Sequence, residues 1–587
     1  MRITSTKLMN YIRCYRYAAL NYHQDRDDDQ EEKTVLPVDF GQIPVENGDY
    51  ESKRLDNPDT AKITGILREK AREDILASLA AAIGYPDKER NKPEARIEIP
   101  FEERFTLYAW AARMIETENE NTYYLISAAT SHNLTEICDI DGRRRRPLFT
   151  KIKDQTYKPN RQLITEAGFS MAKYMARNLE SGRLLYDALF RAYVFDKSDS
   201  NKKTETVLVL LNSEYVRNKL EPEPEMLSFF KISELLPAAR EILETDLYRM
   251  INHIKLNDDS RCLLVKNECL PHTAFACPYV DFCFEHVPKK NSIFSYFHQH
   301  LGFREGKKRT DPVHETYELV NSGMVDMLDV PISWLQRECN LMQRYCVQND
   351  YEFINRKKIS DKLESLVYPL YFLDFEAYPS PIPRFTGEKC YTQSVFQFSV
   401  HVQKDSKTDK SGLIHYDYVM PSDRDNRRKL VERLLEVIPD GNSSVIVYNQ
   451  TFEDNRLQEL AQLFPVYKER LDNIRDRLFD LLKVLKNDSP FYLAKGYSKA
   501  EAKAYNYYHP DLSGSYSLKS VLPVFAEDAY KGMAIANGLE AYLQYAYLPY
   551  LSMENRMQIR EDLILYCNQD TMSLFVILKG IISRLAE

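Results

Sequence analysis

The chain has little tryptophan, no excess of positive charge and no long apolar run. Two Trp stand against 40 Tyr and 27 Phe among 587 residues. Any stacking surface for unpaired bases therefore has to come from Tyr and Phe; for a single Tyr, filling the core or its rim is the simpler role. The net charge of −8 excludes a generally basic nucleic-acid coat. An anionic polymer would have to be met by local patches, with cations screening any acidic site. No apolar stretch approaches membrane-spanning length. The first residues, Met1-Arg2-Ile3-Thr4-Ser5-Thr6-Lys7-Leu8, lack the apolar core of a secretory leader. The expectation is a soluble cytoplasmic protein with no membrane partner. Its ten cysteines should then stay out of structural disulfides, as metal ligands or small buried hydrophobes.

Internal repeats and Gly/Ser-rich linkers are also missing. At this length two or three domains are expected, and three stretches differ in pattern. Residues 1–290 mix helical stretches with a few strands and end in a Cys-rich segment. Residues 291–365 are mostly helical in pattern and highly charged, with Trp334 as a packing anchor, and read as a helical connector. Residues 366–587 begin with strands and end with helices. Leu370–Tyr378, Gln393–Gln403, Leu413–Met420 and Ser443–Tyr448 read as strands, rich in aromatic and β-branched residues. Asp423–Val437 and Glu554–Leu585 have helical spacing. The fold class is α/β, with a mixed sheet flanked by helices in the last third. The acidic run at 25–32 is most simply a solvated loop.

What the sequence does have is acids in places where acids are costly. Asp374 and Glu376 sit two apart in the apolar strand Tyr371-Phe372-Leu373-Asp374-Phe375-Glu376, so both project from one face while Leu373 and Phe375 point to the other. Adjacent carboxylates repel unless a cation lies between them. An edge strand with one solvated acidic face is the plain alternative, weakened by the apolar neighbours. In the last helix Ile559, Leu563, Tyr566, Cys567, Asp570, Leu574 and Ile577 recur at three- and four-residue spacing, which puts Asp570 on the buried stripe one turn from Tyr566. Between them a strand runs out at Val445-Ile446-Val447-Tyr448, turns at Asn449 and enters a helix with Glu453 near its start, where a carboxylate is favoured. Asp454 is the competing acid. Asp480, read as helical, is secondary.

These segments resemble the DEDD superfamily of RNase H-like 3′→5′ exonucleases, in its tyrosine-containing branch. Asp374 and Glu376 match its Asp-x-Glu motif. Glu453 matches the acid after an Asn-x-x-Phe-type turn, a position more usually Asp, and Tyr566 with Asp570 match Tyr-x-x-x-Asp. The segment Gly514-Ser515-Tyr516-Ser517-Leu518-Lys519-Ser520 resembles the substrate-side stretch before the last motif. The resemblance implies a metal-dependent exonuclease acting on single-stranded or frayed DNA, with RNA an open alternative. It implies Asp374, Glu376, Glu453 and Asp570 as ligands of two Mg²⁺ or Mn²⁺ ions, Tyr566 as the water-orienting residue, and Asn449, Ser517 and Lys519 as nucleic-acid contacts.

The first half is similar to RecB-like PD-(D/E)XK nucleases. Cys14, with Cys269, Cys277 and Cys283 and with Cys262 nearby, resembles the iron–sulfur staple of that group, which implies a [4Fe-4S] cluster; four scattered buried thiols are the alternative. The catalytic motif looks eroded. Asp139 would supply its Asp, but Lys151 stands where the acid of Glu-x-Lys is expected, followed by Lys153, and Arg191 stands where Gln is typical. The expectation is a retired nuclease kept for binding. Arg143 and Arg144, in the basic run to Arg146, are candidate phosphate contacts or a solvated basic loop. The combination resembles an uncharacterised bacterial family in which a RecB-like half precedes a DEDD-type half.

Overall fold

The computed structural model describes residues 1–27, 58–84, 91–92, 94–102, 104–141, 144–219, 223–257, 263–266, 268–269, 277–526 and 530–586. They form a mixed α/β protein with several sheets. The described residues divide into two compact units: those within 1–43, 64–279 and 379–392 in the first, and those within 44–63, 280–378 and 393–587 in the second. The stretch 291–365 thus groups with the last third of the chain, and the insertion 379–392 groups with the first unit.

In the first unit a seven-stranded sheet runs in the order Asn91–Lys92, Arg113–Glu116, Glu120–Thr130, Lys203–Leu211, Leu227–Lys231, Thr156–Pro159, Phe149–Lys153. Its two long central strands are parallel, with Tyr124 opposite Val207. Parallel neighbours need a crossover, and the helix Glu180–Ser198 lies in that connection, burying Leu184, Leu185, Leu189, Phe190 and Tyr193. Phe195 at its far end stacks on Tyr123, with ring centroids 4.1 Å apart.

In the second unit we label β1 (Leu370–Pro379), β2 (Gln393–Gln403), β3 (Ile414–Val419), α1 (Arg427–Val437), β4 (Val445–Val447), α2 (Thr451–Leu463), β5 (Leu478–Asp480), α3 (Leu518–Phe525), α4 (Gly538–Tyr547) and α5 (Met553–Ala586). The strands form one sheet in the order β3-β2-β1-β4-β5. β2 and β3 are antiparallel, with Phe398 opposite Tyr418. β4 is parallel to both of its neighbours, pairing Val445 with Tyr371 and Val447 with Asp480. β1 carries large apolar side chains on both faces because both are covered. Tyr371, Leu373 and Phe375 join a core with Leu430, Leu434, Val445 and Leu457. On the other face Phe372 meets Phe575 of α5 edge-on, centroids 5.8 Å apart.

α5 is fixed to the sheet by polar as well as apolar contacts. Gln397 donates through Nε2 to the Leu563 carbonyl at 2.8 Å, and Thr571 Oγ1 lies 3.0 Å from Ser399 Oγ and 2.8 Å from His401 Nδ1. Burial, then the neighbouring His415, pushes His401 down to about 4, so this network is neutral at physiological pH. Gly580 lets α3 pack against α5: a Cβ there would lie 2.5 Å from Phe525 Cδ1. Trp334 is half-buried and stacks on His314, centroids 4.2 Å apart.

A buried carboxylate site between a strand and a helix

The period-2 strand and the 3.6-period helix each present their acids to the other. Asp374 and Glu376 of β1 and Asp570 of α5 each offer an oxygen, and these oxygens lie within 4.8 Å of one another. Glu376 and Asp570 are buried and Asp374 is half-buried. Tyr566 is buried one turn before Asp570, as the spacing predicts.

Two of the acids have hydrogen-bond donors. Cys567 Sγ, fully buried, donates to Asp374 Oδ2 at 3.1 Å. The Tyr530 hydroxyl donates to Asp570 Oδ1 and lies 3.2 Å from Ser573 Oγ. Tyr530 was not legible in the sequence, since it follows the 527–529 stretch with no motif around it. Lys519 Nζ donates to the Ala536 carbonyl at 2.5 Å and lies 5.5 Å and 5.9 Å from the ring centroids of Tyr530 and Tyr566. Its positive charge acts on Glu376 against the repulsion of the neighbouring acids. Gly538, the first residue of α4, also adjoins Glu376: a Cβ there would lie 3.7 Å from Oε2.

The electrostatics are those of acids crowded together away from water. Burial, then the charge of Asp570, holds the Asp374 carboxyl well above its ordinary range. Burial, then Asp374 and Asp570, does the same to Glu376. The phenols of Tyr566 and Tyr530 are raised by burial and then by Asp570, so both stay neutral donors. The Cys567 thiol is raised by burial and then by Asp374.

Glu453 lies outside the trio. It is buried in the first turn of α2, and burial followed by the charge of Asp374 raises its pKa. Its Oε2 is enclosed with no hydrogen-bond partner. Phe452, Leu457 and Leu460 of α2 pack on the same core. The competing acid, Asp454, pairs with Arg475 at 2.9 Å instead. Asp480 corrects the helical reading: it ends β5 and caps the short helix Leu481–Leu485. Its Oδ1 accepts the Asn449 N–H at 2.9 Å and the Leu482 N–H at 3.0 Å. Asn449 itself has φ +60°, a left-handed turn that Asn tolerates, and Asp480 holds that turn closed. Asp480 is a staple for the strand-to-helix corner that aims Glu453.

The other expected contacts divide. Ser517 caps α3, accepting the Ser520 N–H at 3.1 Å, and Lys519 stands beside the acids. Arg143 and the Arg144 side chain lie outside the described residues. Asp139 sits in a two-stranded hairpin, Cys138–Asp141 with Arg144–Pro147, directly opposite Arg146. It is held by Arg146 at 2.5 Å and Lys173 at 2.6 Å. Lys151 and Lys153 are exposed on the edge strand Phe149–Lys153. Arg191 pairs with Asp187 at 2.7 Å and lies over Trp110. Cys14 accepts the Tyr17 N–H and Cys269 the Val265 N–H, both at 3.4 Å. Cys277 packs on the core of the first unit and Cys283 ends the short helix Val280–Cys283 of the second. Cys262 lies outside the described residues.

A close cluster of three acids on a mixed α/β unit is thus the class of site the chain carries. Residues 371–517 match a family described as "Domain of unknown function (DUF2779)". This stretch takes in Asp374, Glu376 and Glu453. The chain is 26% identical over 223 residues to the Mycoplasma genitalium protein named "Uncharacterized protein MG366", covering 35% of this chain and 31% of that protein. It is 23% identical over 222 residues to the Ureaplasma parvum protein named "Uncharacterized protein UU173", covering 35% of this chain and 30% of that protein. The match therefore spans about a third of the length of these curated relatives. No solved structure matches the chain. No described helix is long and apolar enough to cross a membrane.

Proposed function

We propose that the second unit is a DEDD-type, RNase H-like 3′→5′ exonuclease that hydrolyses phosphodiesters of single-stranded or frayed DNA, with RNA as the other substrate to assay. The observation that carries this is the trio of Asp374, Glu376 and Asp570, each offering an oxygen within 4.8 Å of the others. Three such acids are a costly arrangement with no cation, and all their donors are oxygens, the set preferred by Mg²⁺ and Mn²⁺. The enclosed, unpartnered Glu453 Oε2 fits the same need. The mixed five-stranded sheet with its covering helices supports the RNase H-like reading.

In this reading Asp374, Glu376 and Asp570 hold the metal, with Glu453 facing it from α2. Mg²⁺ or Mn²⁺ held there would supply a nucleophile from water and offset charge on the leaving oxygen. Tyr566, kept neutral, orients the attacking water as a hydrogen-bond partner and does not take its proton. Lys519, beside Glu376, is placed to meet a non-bridging phosphate oxygen. We read the first unit as a RecB-like PD-(D/E)XK scaffold that grips the strand. Its candidate acid Asp139 is already neutralised by two cations. The four-thiolate [4Fe-4S] reading for Cys14, Cys269, Cys277 and Cys283 rests on the resemblance alone.

The test is degradation of end-labelled DNA and RNA oligonucleotides in Mg²⁺ or Mn²⁺. Stepwise shortening from the 3′ end is expected, abolished in Asp374→Ala without loss of fold. Undiminished metal-dependent cleavage by that variant would remove the proposal. Binding with no cleavage by the unaltered chain would favour a nucleic-acid-binding scaffold.

A further inference from the structure

We infer that Cys567 and Tyr530 are positioning residues that set the metal affinity of the carboxylate site, an inference that rests on the metal-binding reading above. Asp374 and Asp570 each have two oxygens. One oxygen of each is taken by a neutral donor: Asp374 Oδ2 by the Cys567 thiol at 3.1 Å, and Asp570 Oδ1 by the Tyr530 hydroxyl. Each hydrogen bond restrains the carboxylate's rotation about its Cβ–Cγ bond and so the direction in which its oxygens face the other acids. Groups that orient a ligand in this way shift metal affinity by about 10- to 100-fold when removed.

The two donors are well placed for this and poorly placed for chemistry. Cys567 is 0% exposed and faces a strand acid from the helix that carries Tyr566 and Asp570. Tyr530 is buried as well, comes from outside both elements, and lies with its ring centroid 6.4 Å from that of Tyr566. A cationic Lys519 lies near both rings. The site therefore has two tyrosines with separate duties. Tyr530 holds a ligand, and Tyr566 is left to face the water.

The duties separate experimentally. Mn²⁺ binding to the full chain, followed by the electron paramagnetic resonance of the free ion, should weaken about 10-fold or more in Tyr530→Phe and in Cys567→Ala. Cys567→Ser restores the donor and should recover most of the loss, which a packing role would not explain. Tyr566→Phe should bind Mn²⁺ as the unaltered chain does, yet cleave slowly at saturating metal. If Tyr530→Phe fails to fold, the Cys567→Ala and Cys567→Ser pair decides. Unchanged Mn²⁺ binding in both Cys567→Ala and Tyr530→Phe, with Asp570→Asn impaired, overturns this inference and leaves the metal site standing. Unchanged binding in Asp570→Asn overturns both.

Discussion

Neutralising one acid of the trio should stabilise the metal-free protein. Consider Asp374→Asn, which keeps the side chain's shape and removes its charge. Asp374 faces Glu376 and Asp570 with oxygens no more than 4.8 Å away. At an effective dielectric of about 20, one such pair of like charges costs roughly 3.5 kcal/mol. The full cost of two pairs is never met, because proton uptake caps it; the raised pKa values of Asp374 and Glu376 express that uptake. A net gain of ~1–3 kcal/mol remains as the expectation for the variant at pH 8 in chelator.

The sign can be followed with pH. Below the ordinary carboxylate range the folded and unfolded chains both hold these protons, and the variant gains nothing. As pH rises above that range, the unfolded chain releases protons that Asp374 and Glu376 still hold in the folded state. Stability of the unaltered chain therefore falls across the window between the ordinary and the raised values, and the penalty is complete above it. Metal reverses the comparison. At 100 times its dissociation constant, a bound ion stabilises the unaltered chain by about 2.7 kcal/mol, and the variant loses most of this. Thermal melting, with hydrogen exchange of peptides from β1 and α5 to isolate the second unit, reads both effects. A variant that is less stable than the unaltered chain at pH 8 in chelator would refute the reasoning. Asp374 would then be making net favourable contacts with no cation present.

Asp480→Ala should lower stability by about 1–3 kcal/mol, because two backbone N–H groups lose their acceptor, while Mn²⁺ affinity stays within a few-fold. A loss of affinity as large as that of Asp570→Asn would make Asp480 a ligand after all. Asp139→Ala should leave hydrolysis unchanged and raise the exposed positive charge of its hairpin; lost cleavage would return the active site to the first unit. Gly580→Val should destabilise by ~1–3 kcal/mol through the clash with Phe525, measured by urea midpoint. An anaerobic absorption spectrum of the purified chain tests the cysteines: iron–sulfur bands that vanish in Cys14→Ser are the expected result, and a colourless protein with no bound iron removes that reading.

The trio was legible because each contributing element has a strong period. Two acids at i and i+2 in an apolar strand share a face whatever the strand packs against, and Asp570 lies on a stripe that includes Leu563, Leu574 and Ile577. What sequence cannot carry is the partner that arrives from elsewhere. Tyr530 reaches Asp570 from a segment with no periodic pattern. Asp139 reads as a free acid until the hairpin register puts Arg146 opposite it. Asp480 was misread for a related reason. Leu478-Phe479-Asp480-Leu481-Leu482 is a short apolar run, and such runs do not distinguish strand from helix. Here the chain switches from one to the other at the acid itself, and the side chain that breaks the helical reading is the one that caps the helix.

That switch bears on why Glu453 stands apart from the trio. β4 and β5 are parallel and in register at Val447 and Asp480, so the end of β5 lies beside the corner where β4 becomes α2. Asp480 takes the Asn449 N–H at that corner, and the left-handed Asn449 turns the chain so that Glu453, four residues on, enters α2 on its buried side. The fourth acid is thus aimed by Asp480, which accepts the backbone N–H groups of the corner. Glu453 enters from a different element than the trio, and a Glu side chain spans more distance than an Asp at the same position would. Shortening it tests that geometry. Glu453→Asp should keep the charge and lose reach, weakening Mn²⁺ binding more than it changes the fold. Equal binding in Glu453→Asp and the unaltered chain would remove Glu453 from the ligand set and leave the trio.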